Sequence, residues 1–350
     1  MNKQVVYPSW GLSYLVNSPL DLLEDRLDNK DIIQFRVASQ PNSNPHFGTI
    51  TTMFATFALA AYSKEYLNKD SYVFFECLTN SPDYSTKKEI ENTISYKNLE
   101  KSKHLFTFTK LLEFAKGFSE VNYVQQTYHD FIKDVNIRSY LLDITQQDNL
   151  LDLIQPNDNS WHLRTPCPKC GYTQKEYSNV KLKLLADSIN ITSLCSEHGE
   201  YTQKFTVDNN TFIEVNTQLR TLLKGKLTSE IETNTHILPV WVDGADWSGE
   251  WSIRMFAESL NKLGIHNLPR RLFTPCILDW SGAKFSKSLY INNPEYINQY
   301  ESFVSLNNLI ESYGENKLED IYNECYSWVV DSSKFFRNYT IDYFKHKLSL

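Results

Sequence analysis

The chain lacks a long apolar run, an excess of positive charge and a signal peptide, and each absence argues against a class of protein. Its richest apolar stretch, residues 53–62, falls well short of the roughly 20 residues that a membrane-spanning helix needs. The N-terminus lacks the charged and then apolar layout of a signal peptide, so we expect a cytoplasmic protein with reduced thiols. The formal net charge of −7 argues against a surface that binds nucleic acid over a broad area, but it does not exclude a local basic groove.

What the sequence does contain is typical of a globular protein with a substantial core. Hydrophobic residues make up 41% of the chain, charged residues 22% and aromatic residues 14%. With 350 residues, we expect one large domain with insertions or two domains. Basic residues cluster at 181–183, 224–226 and 270–271, and we expect each cluster to be a solvated face rather than an RNA contact.

Alternating strand and helix patterns predict an α/β fold with a parallel sheet. Residues 31–37 and 71–78 are short, apolar and β-branched, which is typical of buried strands. A helical pattern runs between them from Thr49 to about Asn68, with Thr and Ser as possible caps, so the unit is βαβ. Residues 85–153 look mainly helical, 237–242 and 272–278 look like strands, and the part after 291 looks helical.

The first candidate motif lies between the first predicted strand and its helix. It contains Pro45, His46, Gly48 and Thr49. Helix N-termini present unpaired N–H groups and a partial positive charge, which suits phosphate. Gly48 would allow close approach of a ligand, and His46 could donate to a phosphate oxygen. Taken alone, the motif is also what a loop proline and a surface histidine would give.

The second candidate motif follows the last predicted strand. Lys284, Ser286 and Lys287 form a KFSKS loop whose lysines could grip a triphosphate and neutralise a departing pyrophosphate. Taken alone, this loop is equally well explained as a solvated basic turn.

The third candidate motif is a pair of metal-binding half-sites. Cys167 and Cys170 form the first half, and Cys195 and His198 form the second. Four ligands of this type would saturate a tetrahedral Zn²⁺, so the spacing predicts a closed, structural zinc site with no position left for a catalytic water. A metal-free cysteine ribbon is the alternative.

Together the motifs resemble those of class I aminoacyl-tRNA synthetases, with PHFG standing for the HIGH element and KFSKS for the KMSKS element. The PHFGT variant, the cysteine insert and the GADWSGE loop are more narrowly similar to the class I lysyl-tRNA synthetase branch. The resemblance spans residues 32–288 and implies a Rossmann-like, HUP-type nucleotide-binding domain. Thr49 replaces the second histidine and Phe285 the methionine of these elements, which indicates a diverged paralogue.

The resemblance also implies roles for individual residues. It places ATP against Pro45, His46, Gly48, Asp243, Gly244, Asp246, Lys284, Ser286 and Lys287, and it assigns catalysis to His46, Thr49, Lys284 and Lys287. It divides the chain into the first half of a catalytic domain with a helical insertion (1–155), a zinc-binding insertion (156–206), the second half of that domain (207–290) and a C-terminal helical segment (291–350).

The implied reaction is ATP- and Mg²⁺-dependent activation of an amino acid, with lysine as the leading candidate. The 62 residues after Ser288 are too few for the usual anticodon-binding domain, so we expect a truncated synthetase that charges tRNA through its acceptor arm. A ligase that uses a non-tRNA acceptor and a non-catalytic nucleotide- or tRNA-binding regulator are the alternatives. Glu76 and Asp83 could face a substrate ammonium group, although surface or capping roles suit them as well.

Overall fold

Five parallel strands form the central sheet of the protein, whose computed structural model describes residues 10–90, 93–99, 103–286 and 299–349. Together with the strands of smaller sheets, the strands of the described residues are β1 (Ile32–Ser39), β2 (Asp70–Cys77), β3 (Pro82–Ile90), β4 (Thr93–Asn98), β5 (Tyr123–Thr127), β6 (Leu163–Arg164), β7 (Thr173–Gln174), β8 (Lys181–Leu185), β9 (Ser188–Cys195), β10 (Gly199–Phe205), β11 (Glu214–Val215), β12 (Ile237–Gly244), β13 (Arg270–Thr274), β14 (Ile277–Leu278) and β15 (Tyr339–Thr340).

Helices cover both faces of this sheet. They are α1 (Phe47–Leu67), α2 (Lys103–Ser119), α3 (Tyr128–Lys133), α4 (Val135–Thr145), α5 (Leu151–Ile154), α6 (Thr217–Asn234), α7 (Ser259–Lys262), α8 (Leu306–Tyr313), α9 (Asn316–Val330), α10 (Ser332–Phe335) and α11 (Ile341–Lys347), with a π-helical segment, Trp251–Glu258, directly before α7. None of the helices in the described ranges is long and apolar enough to cross a membrane.

The central sheet has the strand order β13–β12–β1–β2–β5, and every neighbouring pair in it is parallel. The predicted α/β fold with a parallel sheet is therefore confirmed. Helix α1 connects β1 to β2 on one side, while β12 lies on the other side of β1. The strand order thus reverses between β1 and β12, and ligands of open α/β sheets bind at such a crevice beyond the carboxyl ends of the strands.

The two faces of β1 bury different kinds of side chain. Ile33, Phe35 and Val37 are almost fully buried in the core that α1 and the C-terminal helices cover. Successive side chains of a strand point to opposite faces, so Gln34 and Arg36 lie on the other face, beneath α6, where they are buried as well. Polar groups on that face need partners, and they find them on β2 and α6.

The mainly helical prediction for residues 85–153 is wrong for three segments. β3 and β4 form an antiparallel hairpin that β7 extends, and β5 forms one edge of the central sheet. These strands are half exposed and rich in polar residues, so they lack the apolar run by which β1 and β2 were predicted. The helix α1 was predicted correctly, but its N-cap is His46 rather than a Thr or Ser.

Two of the basic clusters are not the solvated faces that we expected. Lys224 is 8% exposed, and the Arg271 side chain is 6% exposed. Both lie on the α6 face of the sheet, where they pair with the carboxylates of Glu76 and Asp243. The sequence pattern failed here because burial of a cation depends on a carboxylate that is distant along the chain.

The C-terminal segment belongs to the same core as the sheet. Helix α9 packs along α1, with Phe54 and Tyr322 in edge-to-face contact at 5.9 Å between ring centroids. Strand β15 pairs in parallel with β14, directly before the KFSKS loop. In addition, the Leu306 N–H donates to the Pro45 carbonyl at 2.9 Å. The C-terminal segment therefore supports both the first motif, at Pro45, and the strand β14 that precedes the KFSKS loop.

A buried ion network joins β1, β2 and α6. The Arg36 Nε and Nη2 each lie 2.9 Å from Glu76 Oε1, and Lys224 Nζ lies 2.7 Å from Glu76 Oε2. Arg36 Nη1 also donates to Gln34 Oε1 at 2.6 Å. Burial by itself would raise the pKa of Glu76, but the charges of Lys224 and Arg36 outweigh this and hold that pKa below its ordinary value. Glu76 is therefore ionised at neutral pH.

We expect Glu76→Gln to lower the free energy of unfolding by about 3–5 kcal/mol at neutral pH, because it leaves two buried cations without a counter-charge. Asp70→Asn is the matched control, since Lys64 and Asp70 also join α1 to β2 but are 61% and 72% exposed. Denaturant unfolding would measure both. Because the pKa of Glu76 is lowered by folding, its contribution should persist above about pH 4.3 and disappear as the pH falls below it. Equal losses in the two variants would contradict this assignment.

Candidate functional site

A cleft of about 690 Å³ opens at the carboxyl ends of β1 and β12, where the strand order reverses. Seven of the site residues predicted from the sequence line this cleft: His46, Gly48, Thr49, Asp243, Gly244, Asp246 and Lys284. Pro45 is buried beside it, and Ser286 follows the lining residue Phe285 in the chain. Lys287 lies outside the described residues. The structure thus gathers most of both motifs and the GADWSGE loop around one opening.

His46 is both the N-cap of α1 and a wall of the cleft. Its Nδ1 accepts a hydrogen bond from the Gly48 N–H at 3.1 Å, so the neutral ring carries its proton on Nε2. The Ile50 N–H bonds to the His46 carbonyl at 3.0 Å and continues the first turn. The N-terminus of α1 therefore points its positive dipole end at the cleft, as an anion-binding site requires.

Gly48 lacks a side chain where the first motif is most crowded. A Cβ at this position would lie 3.1 Å from His46 Cε1 and 3.3 Å from His46 Nδ1, which is tighter than ordinary contact. The carbonyl oxygen of Phe285, from the KFSKS loop, would be 3.9 Å away. Glycine keeps both the histidine ring and the loop close to the helix N-terminus.

The two motifs touch one another through a buried aromatic ring. Phe285 is 1% exposed, and its ring lies 5.9 Å from that of His46 and 5.9 Å from that of Tyr300, with edge-to-face geometry in both contacts. Its N–H donates to the Ile277 carbonyl at 2.8 Å. Phe285 therefore anchors the KFSKS loop against the first motif, a role that the sequence pattern alone did not indicate.

The preceding turn sets the position of Lys284. Asp279 Oδ1 accepts bonds from the backbone N–H groups of Ser281 at 2.8 Å and Ala283 at 3.1 Å, which closes a tight turn. Gly282 occupies the left-handed region there, with φ of 82°. Lys284 then reaches across the cleft mouth and forms an ion pair with Asp246.

The GADWSGE loop supplies two carboxylates with different partners. Asp243 Oδ2 lies 2.7 Å from Arg271 Nη2, so β13 fixes this carboxylate at the end of β12. Asp246 pairs with Lys284, and its Oδ1 lies 3.5 Å from the Cys276 Sγ. A Cβ on Gly244 would lie only 2.5 Å from Asp246 Oδ1, which explains glycine at that position.

Cys276 also lines the cleft, although no sequence motif marks it. Burial, with the nearby Asp246 carboxylate, raises the pKa of its thiol to about 11. It is therefore a neutral thiol at physiological pH, and it contributes packing rather than charge to the cleft.

Glu76 and Asp83, the two other candidate carboxylates, lie in different environments, and so do two tryptophans near the cleft. Glu76 is buried in an ion network and is not a surface or capping residue, whereas Asp83 accepts bonds from Ser85 at the start of β3. Trp241 is buried in the core. Trp247 is 38% exposed, lines the cleft and contacts Trp251 at 4.9 Å between ring centroids.

The third motif forms a compact cluster outside the cleft. The ligand atoms of Cys167, Cys170, Cys195 and His198 all lie within 4.8 Å of one another. The Cys170 and Cys195 sulfurs are 3.6 Å apart, and His198 Nδ1 is 3.7 Å from the Cys167 sulfur and 3.6 Å from the Cys195 sulfur. The edges of a tetrahedron around Zn²⁺ measure about 3.8 Å between sulfurs and about 3.6 Å between sulfur and nitrogen. The cluster therefore fits a tetrahedral zinc ion.

Local backbone geometry presents these four ligands. Gly171 and Gly199 follow Cys170 and His198 with φ of 75° and 74°, so the chain turns sharply after each half-site. Cys195 ends β9 at the tip of the β9–β10 hairpin, where it is the register partner of Gly199. None of the four lines the cleft, so this cluster could hold a structural metal but supplies no group to the cleft.

Comparison with known proteins gives distant structural similarity. No protein-family model and no curated protein sequence matches the chain. The solved structures that it is similar to include methionyl-tRNA synthetase of Mycobacterium tuberculosis in complex with methionyl-adenylate, at 13% identity and a TM-score of 0.44, over 91% of this chain and 68% of that one.

Two more structures are similar at about the same level. One, from Campylobacter jejuni, is described as an arginyl-tRNA synthetase and gives 10% identity and a TM-score of 0.36, over 89% of this chain and 67% of that one. The other is a glutamate tRNA ligase from Elizabethkingia meningosepticum in complex with its amino acid, at 11% identity and 0.35, over 74% of this chain and 53% of that one. These values are too low to establish a shared activity, substrate or ligand.

The motifs predict ATP in this cleft, and on that prediction we expect Gly48→Ala to weaken ATP binding by about tenfold, because the added methyl group displaces the His46 ring from the helix N-terminus. Gly117→Ala in α2 is the matched control, since a Cβ there meets nothing within 4 Å. Calorimetric titration with ATP would measure both affinities. Unchanged binding in Gly48→Ala would remove Gly48 from the nucleotide site.

We expect the purified protein to carry close to one equivalent of zinc, and Cys195→Ser to carry far less, because the cluster loses one of its four ligands. Cys276→Ser should keep the full amount, as its thiol is not part of the cluster. Elemental analysis after exhaustive dialysis would decide. Metal that persists in Cys195→Ser would show that another set of ligands holds it.

Proposed function

We propose that the protein activates an amino acid with ATP, forming an aminoacyl-adenylate and pyrophosphate in the cleft between β1 and β12. The observation that carries this proposal is the convergence of three separate segments on one opening: the α1 N-terminus at His46, the loop after Asp243, and Lys284. A helix N-terminus and a lysine that face each other across a crevice suit a phosphate chain. The loop after β12 offers carboxylates where a ribose or an ammonium group would bind.

In the proposed reaction, a carboxylate oxygen of the amino acid attacks the α-phosphorus of ATP. A new C–O–P bond forms as the bond between the α-phosphorus and the bridging oxygen breaks, and pyrophosphate leaves with that electron pair. The Nε2 proton of His46 would donate to a phosphate oxygen, and Lys284 and Lys287 would offset the charge on the leaving group. Because Lys284 pairs with Asp246, the nucleotide would have to compete for that ammonium group.

Mg²⁺ would enter with the nucleotide and would be held chiefly by the phosphate oxygens, as is usual for this ion. The two carboxylates of the loop, Asp243 and Asp246, are each paired with a cation, so neither is offered as a dedicated metal ligand. The zinc cluster would act separately, by holding the β9–β10 hairpin in shape.

The acceptor of the activated amino acid is proposed to be tRNA, with a non-tRNA acceptor as the second candidate. Both follow from the resemblance of PHFG and KFSKS to synthetase motifs, and the same holds for the lysyl branch and for lysine as substrate. The side chain that the substrate carries depends on the cavity beside the cleft, at the carboxyl ends of β2 and β5.

We expect amino-acid-dependent exchange between ATP and labelled pyrophosphate, and we expect Lys284→Met and Lys287→Ala to lower its rate by about 100-fold or more. The assay should use each of the twenty amino acids, with and without added tRNA. Lys64→Met, at the far end of α1 and 61% exposed in its side chain, is the matched control and should keep the full rate.

Exchange without tRNA transfer would favour the non-tRNA acceptor. Absence of exchange with every amino acid under both conditions, from protein that binds ATP, would instead favour a nucleotide-binding regulator over the enzyme.

A further inference from the structure

A second, smaller cavity lies beside the cleft, at the carboxyl ends of β2 and β5. It is narrow and open to solvent, with about 10 Å³ of room for the centre of a water-sized group, so it suits only the end of a ligand side chain. Glu76 lines this cavity, and its register partner on β1, Ala38, lines the cleft. A substrate whose carboxylate reacts in the cleft could therefore extend its side chain across the end of β1 into this cavity.

Two cations of α6 face this cavity, and one carboxylate does. Arg220 and Lys224 are four residues apart, so they lie on the same side of the helix. Glu76 is the carboxylate, but it already accepts bonds from Arg36 and Lys224 at 2.9 and 2.7 Å. Its charge is thus more than balanced before any ligand enters.

Arg220 has no ion pair and no side-chain hydrogen bond with any residue in the part of the chain that the structure describes. Burial lowers the pKa of its guanidinium, while the nearby Tyr128 and Glu76 act in the opposite direction. A guanidinium has five N–H donors and stays protonated even so. Arg220 is therefore a half-buried cation at the cavity, with N–H groups that a planar anion such as a carboxylate could accept from.

The remaining lining residues of the cavity are uncharged. Leu78 and Phe131 give it apolar sides, which suit methylene groups. The Tyr128 hydroxyl is already used, because it donates to the Ile213 carbonyl and accepts from the Val215 N–H, both at 3.0 Å. Thr127 bonds to Asp130 as the cap of α3. Gln126 also lines the cavity, but its amide can pair with an anion or a cation, so Arg220 is the lining group that selects for the charge of a ligand.

We infer that this cavity binds the side-chain carboxylate of an acidic amino-acid substrate, with Arg220 as its ion-pair partner. This inference rests on the proposed amino-acid activation and names its substrate class. A lysine side chain would bring a third ammonium or guanidinium group beside Arg220 and Lys224, with no unbalanced carboxylate to receive it. A buried charge without a partner is costly, so the same cavity would reject the cationic substrate that the resemblance implied.

Binding of non-hydrolysable aminoacyl-sulfamoyladenosines tests this inference without requiring turnover. We expect the wild-type protein to bind the glutamyl or aspartyl analogue about 100-fold more tightly than the lysyl and leucyl analogues, as a buried charge pair warrants. In Arg220→Met, affinity for the acidic analogue should fall to the level of the leucyl analogue. Affinity for the leucyl analogue itself should change little.

Three further variants make the result specific. Arg220→Lys retains a charge and should keep part of the preference. Arg220→Glu should move the preference toward the lysyl analogue. Lys226→Met, on the same helix but paired with Asp143 outside the cavity, should leave all affinities unchanged. Thermal unfolding of each variant without ligand would identify any that fail to fold, and the acidic-to-leucyl affinity ratio of the folded variants would still decide.

The outcomes separate the inference from the proposed function. Tightest binding of the lysyl analogue, or equal binding of all four, would overturn the acidic specificity while supporting amino-acid activation. Failure of every analogue to bind would overturn both. An acidic preference that survives in Arg220→Met would remove Arg220 from the pocket and overturn the ion-pair assignment.

Discussion

The ionised carboxylate of Glu76, held between Arg36 and Lys224, is the interaction on which the rest of this structure depends. It joins the two central strands to α6, on the face of the sheet opposite α1. Because burial of any one of these charges alone would be strongly unfavourable, the three fix the height of α6 over the sheet. That height in turn places Arg220, one helical turn before Lys224, beside the carboxyl ends of β2 and β5. The ion network thus stabilises the fold and also sets the position of Arg220 at the cavity beside the cleft.

Much of the fold could be predicted because its central strands and first helix are locally distinct. β1, β2 and β12 are apolar and β-branched, and α1 contains a long apolar segment, residues 53–62, that follows a polar loop. β5 could not be predicted in the same way, because its sequence YVQQT is polar and becomes a strand only by pairing with β2. β3 and β4 were missed for the same reason, since a hairpin outside the main core needs few apolar residues.

The candidate site, too, could be predicted only in part. Short motifs pointed to His46, Gly48, Asp243 and Lys284, because groups that handle phosphate recur at loops with recognisable spacing. Arg220 and its neighbours on α6 were missed, since a cation within a regular helix looks like part of a solvated face. Only the three-dimensional structure shows which carboxylates are close to it. Specificity is therefore harder to predict from sequence than the handling of phosphate, because it depends on the balance of charges between distant segments.

The pairing of β14 with β15 has a consequence for folding of the chain during translation. The backbone of Cys276, which lines the cleft, makes two bonds to this region: its carbonyl accepts from the Tyr339 N–H at 3.0 Å, and its N–H donates to Asn338 Oδ1 at 2.9 Å. Near the start of the chain, Ser18 Oγ donates to the Val329 carbonyl at 3.1 Å. A nascent chain on the ribosome would thus hold both motifs long before it holds the residues that complete them. Until those residues emerge, the apolar face of α1 that α9 covers in the folded protein stays exposed, and exposed apolar surface of this kind favours aggregation.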